Sequence, residues 1–263
     1  MTELEYRSHP AISRSELWRM HESPEKFKWY NEHPAEPTPA LLFGQVVHKM
    51  LLQPESFQTE FVVAPAVDRR TKAGKDEYAA FAETVGDRTV ISVDDYNKAL
   101  DMVTAVRMSP LANKLLAGEK EEPFFWTDEF TGTDCKCRVD CLTEIGDNPV
   151  IVDYKSASDA SNDSFMRDAM KYGYTLQAAM YSDGVEKNLG RKPLFVFIVQ
   201  EKAEPYCVNI LQADTAFVEY GYDQFREFLG IYKYCTETDD WYGFLGKSGV
   251  INTLSLPGWA NGE

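Results

Sequence analysis

The fold is decided by the stretch from Cys135 to Lys155, which reads CKCRVDCLTEIGDNPVIVDYK. Its second half is an apolar run that ends in Asp153-Tyr154-Lys155, and side chains two apart in a strand point to the same face. Asp153 and Lys155 therefore share one face. The first half alternates in the same way, and the residues between the halves favour a turn. This pattern predicts an antiparallel hairpin that folds Asp140 back beside Asp153.

The register of this hairpin depends on its turn. A two-residue turn at Gly146-Asp147 would place Asp140 directly opposite Asp153. Pro149 favours a longer and less regular loop, because proline cannot donate a hydrogen bond to the ladder. The sequence therefore predicts that the two carboxylates lie close together, without fixing their register.

Two neighbouring carboxylates repel each other unless a cation neutralises them. Oxygen ligands beside an exposed lysine favour Mg²⁺ or Mn²⁺. In phosphodiester hydrolysis such ions lower the pKa of a bound water and stabilise the charge that grows on the phosphate, and Lys155 suits the role of orienting that water. The alternative is an ordinary surface hairpin with an Asp and Lys pair, because a bare D-x-K recurs by chance.

A series of motifs follows in order along nearly the whole chain. They are Ile12-Ser13, Ser23-Pro24, Phe43-Gly44 with His48, Pro54 to Phe57, Arg69 to Lys75, Cys135 to Asp140, Asp153 to Lys155, Gln177 to Gly184, and Thr253 to Pro257. This series resembles the RecE (exonuclease VIII) family of phage-type exonucleases, within the PD-(D/E)xK nuclease superfamily. One departure is Val139, where the superfamily pattern has proline; that position shapes the backbone and supplies no ligand.

The resemblance implies an α/β, restriction-endonuclease-like fold with a mixed central β-sheet flanked by helices. It also implies a Mg²⁺-dependent 5′ to 3′ exodeoxyribonuclease, which digests linear double-stranded DNA from its ends to mononucleotides and leaves 3′ single-stranded tails. Such enzymes act in phage-type recombination beside a single-strand annealing protein and form ring-shaped homo-oligomers around DNA. Some relatives carry a long N-terminal extension that is not expected here.

Carried over residue by residue, the resemblance implies that His48, Asp140, Asp153 and the backbone carbonyl of Tyr154 bind the metal. Lys155 assists the attacking water, so Lys155, Asp140 and Asp153 are the expected catalytic residues. An endonuclease or a single-strand nuclease of the same superfamily would have the same local chemistry and stays open. A non-catalytic DNA-binding recombination scaffold is a further alternative, against which the intact carboxylate and lysine set argues.

The position of His48 also follows from local geometry. A helix is predicted from Leu41 to Leu52, and its apolar face is formed at 3.6-residue spacing by Phe43, Val46, Val47, Met50 and Leu51. His48 falls well away from the centre of that face, so the helix can present it to a site. A solvent-exposed histidine is the alternative, because lone histidines are usually not ligands.

The formal net charge of −15 is the strongest objection to a DNA-binding protein, whose affinity normally rests on Lys and Arg at phosphates. A locally basic contact surface would meet the objection. Such a surface is offered by Arg69, Arg70, Lys72 and Lys75 in one loop, which is the candidate DNA contact. A solvated, flexible charged loop is the alternative.

Gln177 and Tyr181 lie on one side of a predicted helix, at i and i+4. They match a Q-x-x-x-Y motif of related nucleases, and the resemblance implies that they contact the DNA backbone or support the metal site. Simple packing against the sheet is the alternative, because the motif is short.

Composition bounds the remaining possibilities. A hydrophobic content of 44% supports a real core, and because no Pro/Gly/Ser-rich linker divides the chain, we expect a single domain over residues 1–263. The sequence has no apolar run near the length of a membrane span and no signal-peptide pattern, so we expect a cytoplasmic protein with no membrane partner. The odd count of five cysteines fits a reducing compartment, and Cys135, Cys137 and Cys141 are expected on one strand face as buried thiols.

Capping and turn patterns predict the other elements. Helices are expected to begin at the capping box of Ser13 and Glu16, at Ser23-Pro24 and at Ser92. The later predicted elements are strands Pro123 to Glu129, Asp134 to Leu142 and Val150 to Lys155, a helix Thr175 to Leu189, and strands Leu194 to Gln200 and Tyr206 to Leu211. A helical apolar stripe from Val218 to Tyr232 indicates core packing or a subunit contact.

Overall fold

The computed structural model of the protein describes residue 1, residues 3–246, residue 249 and residues 251–256. The strands are β1 (Ile12–Ser13), β2 (Phe61–Val63), β3 (Thr89–Ile91), β4 (Glu119–Thr127), β5 (Asp134–Ile145), β6 (Asn148–Ala157), β7 (Leu194–Glu201) and β8 (Val208–Gln212). The helices are α1 (Glu3–Ser8), α2 (Arg14–Leu17), α3 (Pro24–Glu32), α4 (Pro39–Leu52), α5 (Phe57–Glu60), α6 (Lys72–Val85), α7 (Val93–Arg107), α8 (Pro110–Leu115), α9 (Asn162–Tyr172), α10 (Tyr174–Leu189) and α11 (Thr215–Thr238). Short 3₁₀ helices, Trp18–His21 and Pro54–Ser56, follow α2 and α4. Of the motif residues quoted above, Pro257 lies outside the described residues.

The central sheet is mixed. Its strand order is β1-β5-β6-β7-β8, and β4 pairs with β5 in addition. β6 and β7 run parallel, β1 and β5 run parallel, and the remaining neighbours run antiparallel. Helices cover both faces of the sheet, which confirms the predicted α/β architecture.

The β5–β6 hairpin closes through a two-residue turn, so the expected longer loop is wrong. Ile145 pairs with Asn148, and Gly146 has a φ of 62°, in the left-handed region that this turn requires. Pro149 is tolerated because the pair after the closing one is not hydrogen-bonded in an antiparallel ladder. In addition, β7 pairs with β6 only from Val150 onward, so no neighbour needs the missing N–H.

One edge of β5 changes its partner part of the way along. β4 covers the first edge, from Asp134 to Leu142. On the second edge, β6 pairs with the residues from Cys141 to Ile145, whereas β1 pairs only with Cys135 and Lys136. Residues 137–140 of this edge lie between the two partners. β5 and β6 therefore diverge at Asp140, and β1 ends close to the opening.

The two faces of the sheet carry separate hydrophobic cores. One core contains Ile151, Leu176 of α10 and Phe225 of α11. The other contains Val152 and packs beneath α4, α7 and α8, with Val47 among its buried residues. The apolar stripe predicted for α11 is core packing, since its residues belong to the first core or pack against it.

The cysteines of β5 do not share one face. Cys135, Cys137 and Val139 belong to the first core, whereas Cys141 belongs to the second. The alternation of the strand therefore shifts its phase between Val139 and Cys141, around Asp140. All three thiols are buried, as predicted, but the expected common face is wrong.

α6 and the loop before it form a weakly packed arm. Gly74 is its one buried residue, and Tyr78, Phe81 and Val85 are half-buried along one side of the helix. The other residues of α6 are exposed. Within the described part of the chain, no helix combines the length and apolar character needed to cross a membrane.

Candidate active site

Asp140 lies where β5 and β6 diverge. The last pair of their ladder is Cys141 with Val152. Beyond it, the backbone N–H of Tyr154 donates a hydrogen bond to Asp140 Oδ2 at 2.8 Å. The carboxylate thereby joins the two strands in place of a backbone bond, and it lies next to the Asp153-Tyr154 peptide.

Asp153 is fully buried, and both oxygens of its carboxylate have a close neighbour. Gln177 on α10 donates from Nε2 to Oδ1 at 2.5 Å, and Lys155 Nζ lies 2.5 Å from Oδ2. Burial raises the pKa of Asp153 to about 6, against the opposing charge of Lys155. A carboxylate this costly to bury is one that a cation would stabilise.

Lys155 is more enclosed than an exposed lysine, with 19% of its side chain accessible. Burial alone would lower its pKa, but the carboxylates of Asp153 and Asp140 outweigh that effect and the pKa is raised. The ammonium also lies 4.9 Å from the centre of the Tyr174 ring. Lys155 is therefore a fixed, charged group beside the carboxylates.

α4 brings His48 to Asp140. This helix packs on the second core, on the face of the sheet opposite to α10. Val46, Val47 and Leu51 are buried, so the predicted apolar face of this helix is the packed one. His48 points away from that face, and its Nε2 lies 3.0 Å from Asp140 Oδ2. Burial opposes protonation of His48, but the charge of Asp140 prevails and raises the pKa of the imidazole.

Glu121 completes this cluster. Its Oε1 lies 3.5 Å from His48 Nδ1, and its Oε2 lies 2.7 Å from Arg138 Nε. The φ of Glu121 is 55°, in the left-handed region that side chains other than glycine rarely adopt. Such a conformation costs about 1 kcal/mol or more and is found where the surroundings hold it in place. It occurs in β4 opposite Asp140, between the pairs Lys120–Cys141 and Glu122–Val139.

Sequence reasoning missed Glu121. The predicted strand began at Pro123, whereas β4 begins at Glu119. The four residues before Pro123 are all charged, and such residues are depleted in strands. The one available signal was indirect, because a longer strand opposite β5 would place an acidic residue across from Asp140.

The residues present fit a divalent cation. His48, Glu121 and Asp140 each offer one ligand atom, and these atoms all lie within 4.8 Å of one another. Asp153 adds a buried carboxylate whose Oδ2 has no aligned hydrogen-bond donor among the described residues. Carboxylate oxygens with one imidazole are ligands that suit Mg²⁺ or Mn²⁺, whereas softer metals prefer thiolates.

A buried polar contact supports the strand behind the site. The Tyr154 hydroxyl donates to Gln200 Oε1 at 2.7 Å, and Gln200 Nε2 donates to the carbonyl of Met102 at 2.8 Å. Gln200 is fully buried. These bonds tie β6 to β7 and α7, and so hold the Tyr154 backbone, whose carbonyl is a metal ligand in what the family resemblance implies.

The predicted DNA contacts fall into two groups. Gln177 lies in the site, and Tyr181 is half-buried one turn further along α10, where its ring packs near Phe195. The basic residues of the arm, in contrast, make local contacts. Arg69 lies over the Tyr78 ring at 4.0 Å, and Arg70 pairs with Asp68. Lys72 and Lys75 are exposed on α6.

Comparison with known proteins agrees with this architecture. A model of the family described as "PDDEXK-like domain of unknown function (DUF3799)" matches residues 13–252. The crystal structure of a candidate exonuclease from Eubacterium rectale is similar, with a TM-score of 0.62 and 14% sequence identity over 98% of this chain and 96% of that chain. An identity this low shows the fold alone, and that fold is the restriction-endonuclease-like one predicted.

A second solved structure, that of SSO0001, has a TM-score of 0.36 and 11% identity over 85% of this chain and 81% of that chain. A similarity this weak carries no argument. No curated protein matches the chain in sequence.

Proposed function

Because the chain belongs to the PDDEXK-like family DUF3799, we propose that it is a divalent-metal-dependent nuclease. The observation that carries the proposal is the meeting of two groups of side chains where β5 and β6 diverge. One is the possible ligand set of His48, Glu121 and Asp140, and the other is the ion pair of Asp153 with Lys155. Ligands for a hard cation beside a charged lysine are what metal-assisted phosphodiester hydrolysis needs.

In this proposal His48, Glu121, Asp140 and Asp153 hold the cation, with Mg²⁺ the expected ion and Mn²⁺ a substitute. When bound, such an ion lowers the pKa of a water and neutralises charge on the phosphate. Lys155 orients the attacking water and directs its positive charge to the phosphate oxygens.

The surrounding contacts keep these groups in place. Gln177 fixes Asp153 from α10, and the Tyr154 N–H fixes Asp140. Such supporting contacts affect activity because a small misplacement of a reacting group costs a large factor in rate.

The finer assignment is a 5′ to 3′ exodeoxyribonuclease that digests linear double-stranded DNA from its ends. It leaves 3′ single-stranded tails for recombination, in partnership with a single-strand annealing protein and as a ring-shaped homo-oligomer. The support is the resemblance of the sequence motifs to the RecE family, together with the exonuclease name of the similar Eubacterium rectale structure.

The arm is proposed as a further DNA contact, distinct from the metal ligands. Arg69, Arg70, Lys72 and Lys75 are exposed there, in a chain whose net charge is −15. A concentrated basic segment on an otherwise acidic protein would attract the DNA backbone locally while the remaining surface repels it.

The test is the release of acid-soluble nucleotides from linear and from covalently closed circular duplex DNA, with Mg²⁺ and with EDTA. Lys155→Ala is compared with the native protein. Lys187→Ala is the matched control, because Lys187 is also in an ion pair, at 2.5 Å from Glu129 on the surface. We expect degradation of linear DNA alone, by the native protein and the control, and only with metal.

Equal cleavage of closed circles would favour an endonuclease, and activity confined to denatured DNA would favour a single-strand nuclease. Tight DNA binding without cleavage under any divalent ion would favour a non-catalytic scaffold. Full activity of Lys155→Ala would contradict the proposed role of the lysine.

A further inference from the structure

Arg14 lies beside the candidate active site without being part of the metal cluster. It directly follows β1, the short strand that pairs with β5 next to the opening between β5 and β6. Its guanidinium lies 5.7 Å from the centre of the Tyr174 ring, the same ring that Lys155 Nζ approaches at 4.9 Å. Both cations therefore lie close to the same aromatic side chain.

The position of Arg14 is fixed by the junction of α9 and α10. A terminal nitrogen donates to the carbonyl of Tyr172, and the guanidinium lies 5.9 Å from the centre of the Trp18 ring. Trp18 in turn packs against Gly173, where an added Cβ would come within 2.4 Å of the indole and where φ is +67°. Only glycine allows this close approach, so the backbone is shaped to hold the arginine between two rings.

The guanidinium is not fully used by these contacts. Its Nε is buried and has no hydrogen-bond partner among the described residues. Burial lowers the pKa of Arg14, while the negative charge of Asp153 acts in the opposite direction, so the catalytic carboxylate is within electrostatic reach. A buried donor without a partner is costly, and a bound ligand with a free acceptor would remove that cost.

We propose that Arg14 binds a backbone phosphate of the DNA strand being cut, adjacent to the phosphate that Lys155 faces. This inference rests on the proposed nuclease function and extends it. A guanidinium offers parallel N–H donors that match two phosphate oxygens, and its planar face stacks on aromatic rings, as it does here. The partner it fits is thus an anionic strand that runs along the opening between β5 and β6.

The first measurement is DNA binding as a function of salt. A fluorescent linear duplex is titrated with native protein, Arg14→Gln and Arg14→Lys in Ca²⁺. Loss of one phosphate contact should reduce the slope of log affinity against log salt by about 0.9, and Arg14→Lys should recover part of it. Arg19→Gln is the matched control, because Arg19 also combines an amide contact, to Asn31, with an aromatic one, to Tyr30.

The second measurement locates the phosphate. Linear duplexes with a single uncharged methylphosphonate at successive positions of the cut strand are digested in Mg²⁺. For native protein and Arg19→Gln, we expect one position near the scissile bond to slow cleavage roughly tenfold or more, the typical effect of losing a charged hydrogen bond. Arg14→Gln should be slow on unmodified DNA and insensitive to the modification at that position.

These experiments separate the inference from the function on which it rests. If native protein cleaves no DNA with any divalent ion, the proposed function fails and the inference fails with it. If native protein cleaves, and Arg14→Gln lowers only the melting temperature while keeping the native salt slope and methylphosphonate pattern, Arg14 is a structural residue and the inference alone is overturned.

Discussion

Gln177 Nε2 donates a hydrogen bond to Asp153 Oδ1 at 2.5 Å, from α10, a helix whose residues form part of the first core. Gln177 is itself buried. The bond therefore connects α10 to β6 within a region of low dielectric, where a hydrogen bond to a charged group is strong. The Lys155 ammonium contacts the other oxygen of Asp153, so the bond from Gln177 sets how this carboxylate is oriented toward the lysine.

Gln177→Ala should lower nuclease activity while the protein stays folded. Removing the amide frees Asp153 to rotate, and the loss of a contact that orients a ligand typically costs roughly tenfold to hundredfold in activity or metal affinity. Gln224→Ala is the control. Gln224 lies on α11 and accepts a hydrogen bond from Thr175 of α10 at 2.7 Å, but it does not touch Asp153. Equal loss of activity in both variants would indicate general weakening of α10.

His48→Ala should weaken binding of a divalent cation. The imidazole lies 3.0 Å from Asp140 and belongs to the possible ligand set, so its loss should reduce affinity for Mn²⁺ by roughly tenfold or more. Isothermal titration with Mn²⁺ measures this without depending on cleavage. His33→Ala is the control, because that histidine is exposed and stacks on Trp29. Unchanged Mn²⁺ affinity in His48→Ala would exclude the histidine as a ligand.

Glu121→Gln should impair metal binding with little change of shape. The amide keeps the length of the side chain but removes the negative charge that faces His48 and Arg138. We expect weaker Mn²⁺ binding and slower cleavage, of the same sign as for His48→Ala. Glu122→Gln, on the next residue of the strand, is the control. A variant that loses stability but keeps native Mn²⁺ affinity would show that Glu121 only anchors Arg138.

Local patterns in the sequence were enough to predict the hairpin, the approach of Asp140 to Asp153, and the exit of His48 from the apolar face of α4. Each depends on a period of two or of 3.6 residues, which burial of one face enforces. Glu121 and the phase shift around Asp140 could not be predicted in this way. The position of Glu121 depends on its left-handed backbone in β4, and the phase shift depends on the interrupted pairing of β5. The contacts that hold both are distant in sequence.

The length of the hairpin turn was predicted wrongly for a different reason. Pro149 indicated a longer loop because its missing N–H would break a ladder bond. Whether that N–H is needed depends on the register and on where β7 begins to pair, which is Val150. Arg14 shows the same dependence, since its place near the Tyr174 ring is set by the junction at Gly173 rather than by any motif around residue 14.

The basic arm should contribute phosphate contacts that salt weakens. Arg69→Gln and Arg70→Gln are each expected to reduce the slope of log affinity for duplex DNA against log salt by about 0.9. Arg88→Gln is the control, because Arg88 lies beyond the far end of α6 and donates to the carbonyls of Val85 and Thr84. If both arm variants keep the native slope, the arm is a solvated loop and DNA contacts lie elsewhere.

Asp128 should make the free energy of unfolding decrease at acidic pH. Its carboxylate is buried, lies 2.5 Å from Arg226 Nη1 and accepts two hydrogen bonds from Thr131, at 2.8 Å from the backbone and 2.6 Å from the hydroxyl. Burial alone would raise the pKa of Asp128, but these partners outweigh it and the pKa is lowered. A carboxyl with a lower pKa in the folded state stabilises the fold above its unfolded pKa and loses that contribution as pH falls through the folded value.

Asp128→Asn should therefore lower the free energy of unfolding at pH 7 by about 2 to 3 kcal/mol, the cost of losing hydrogen bonds to a charged group. The difference from the native protein should stay constant down to about pH 5 and shrink as the pH falls below about 4, because there the carboxyl of the unfolded state takes up a proton while that of the folded state, with its lower pKa, still resists protonation. Urea unfolding at a series of pH values measures this difference. Asp147→Asn, on the exposed hairpin turn, should show no such trend, and a constant difference for Asp128→Asn at every pH would mean that its loss is one of packing rather than of charge.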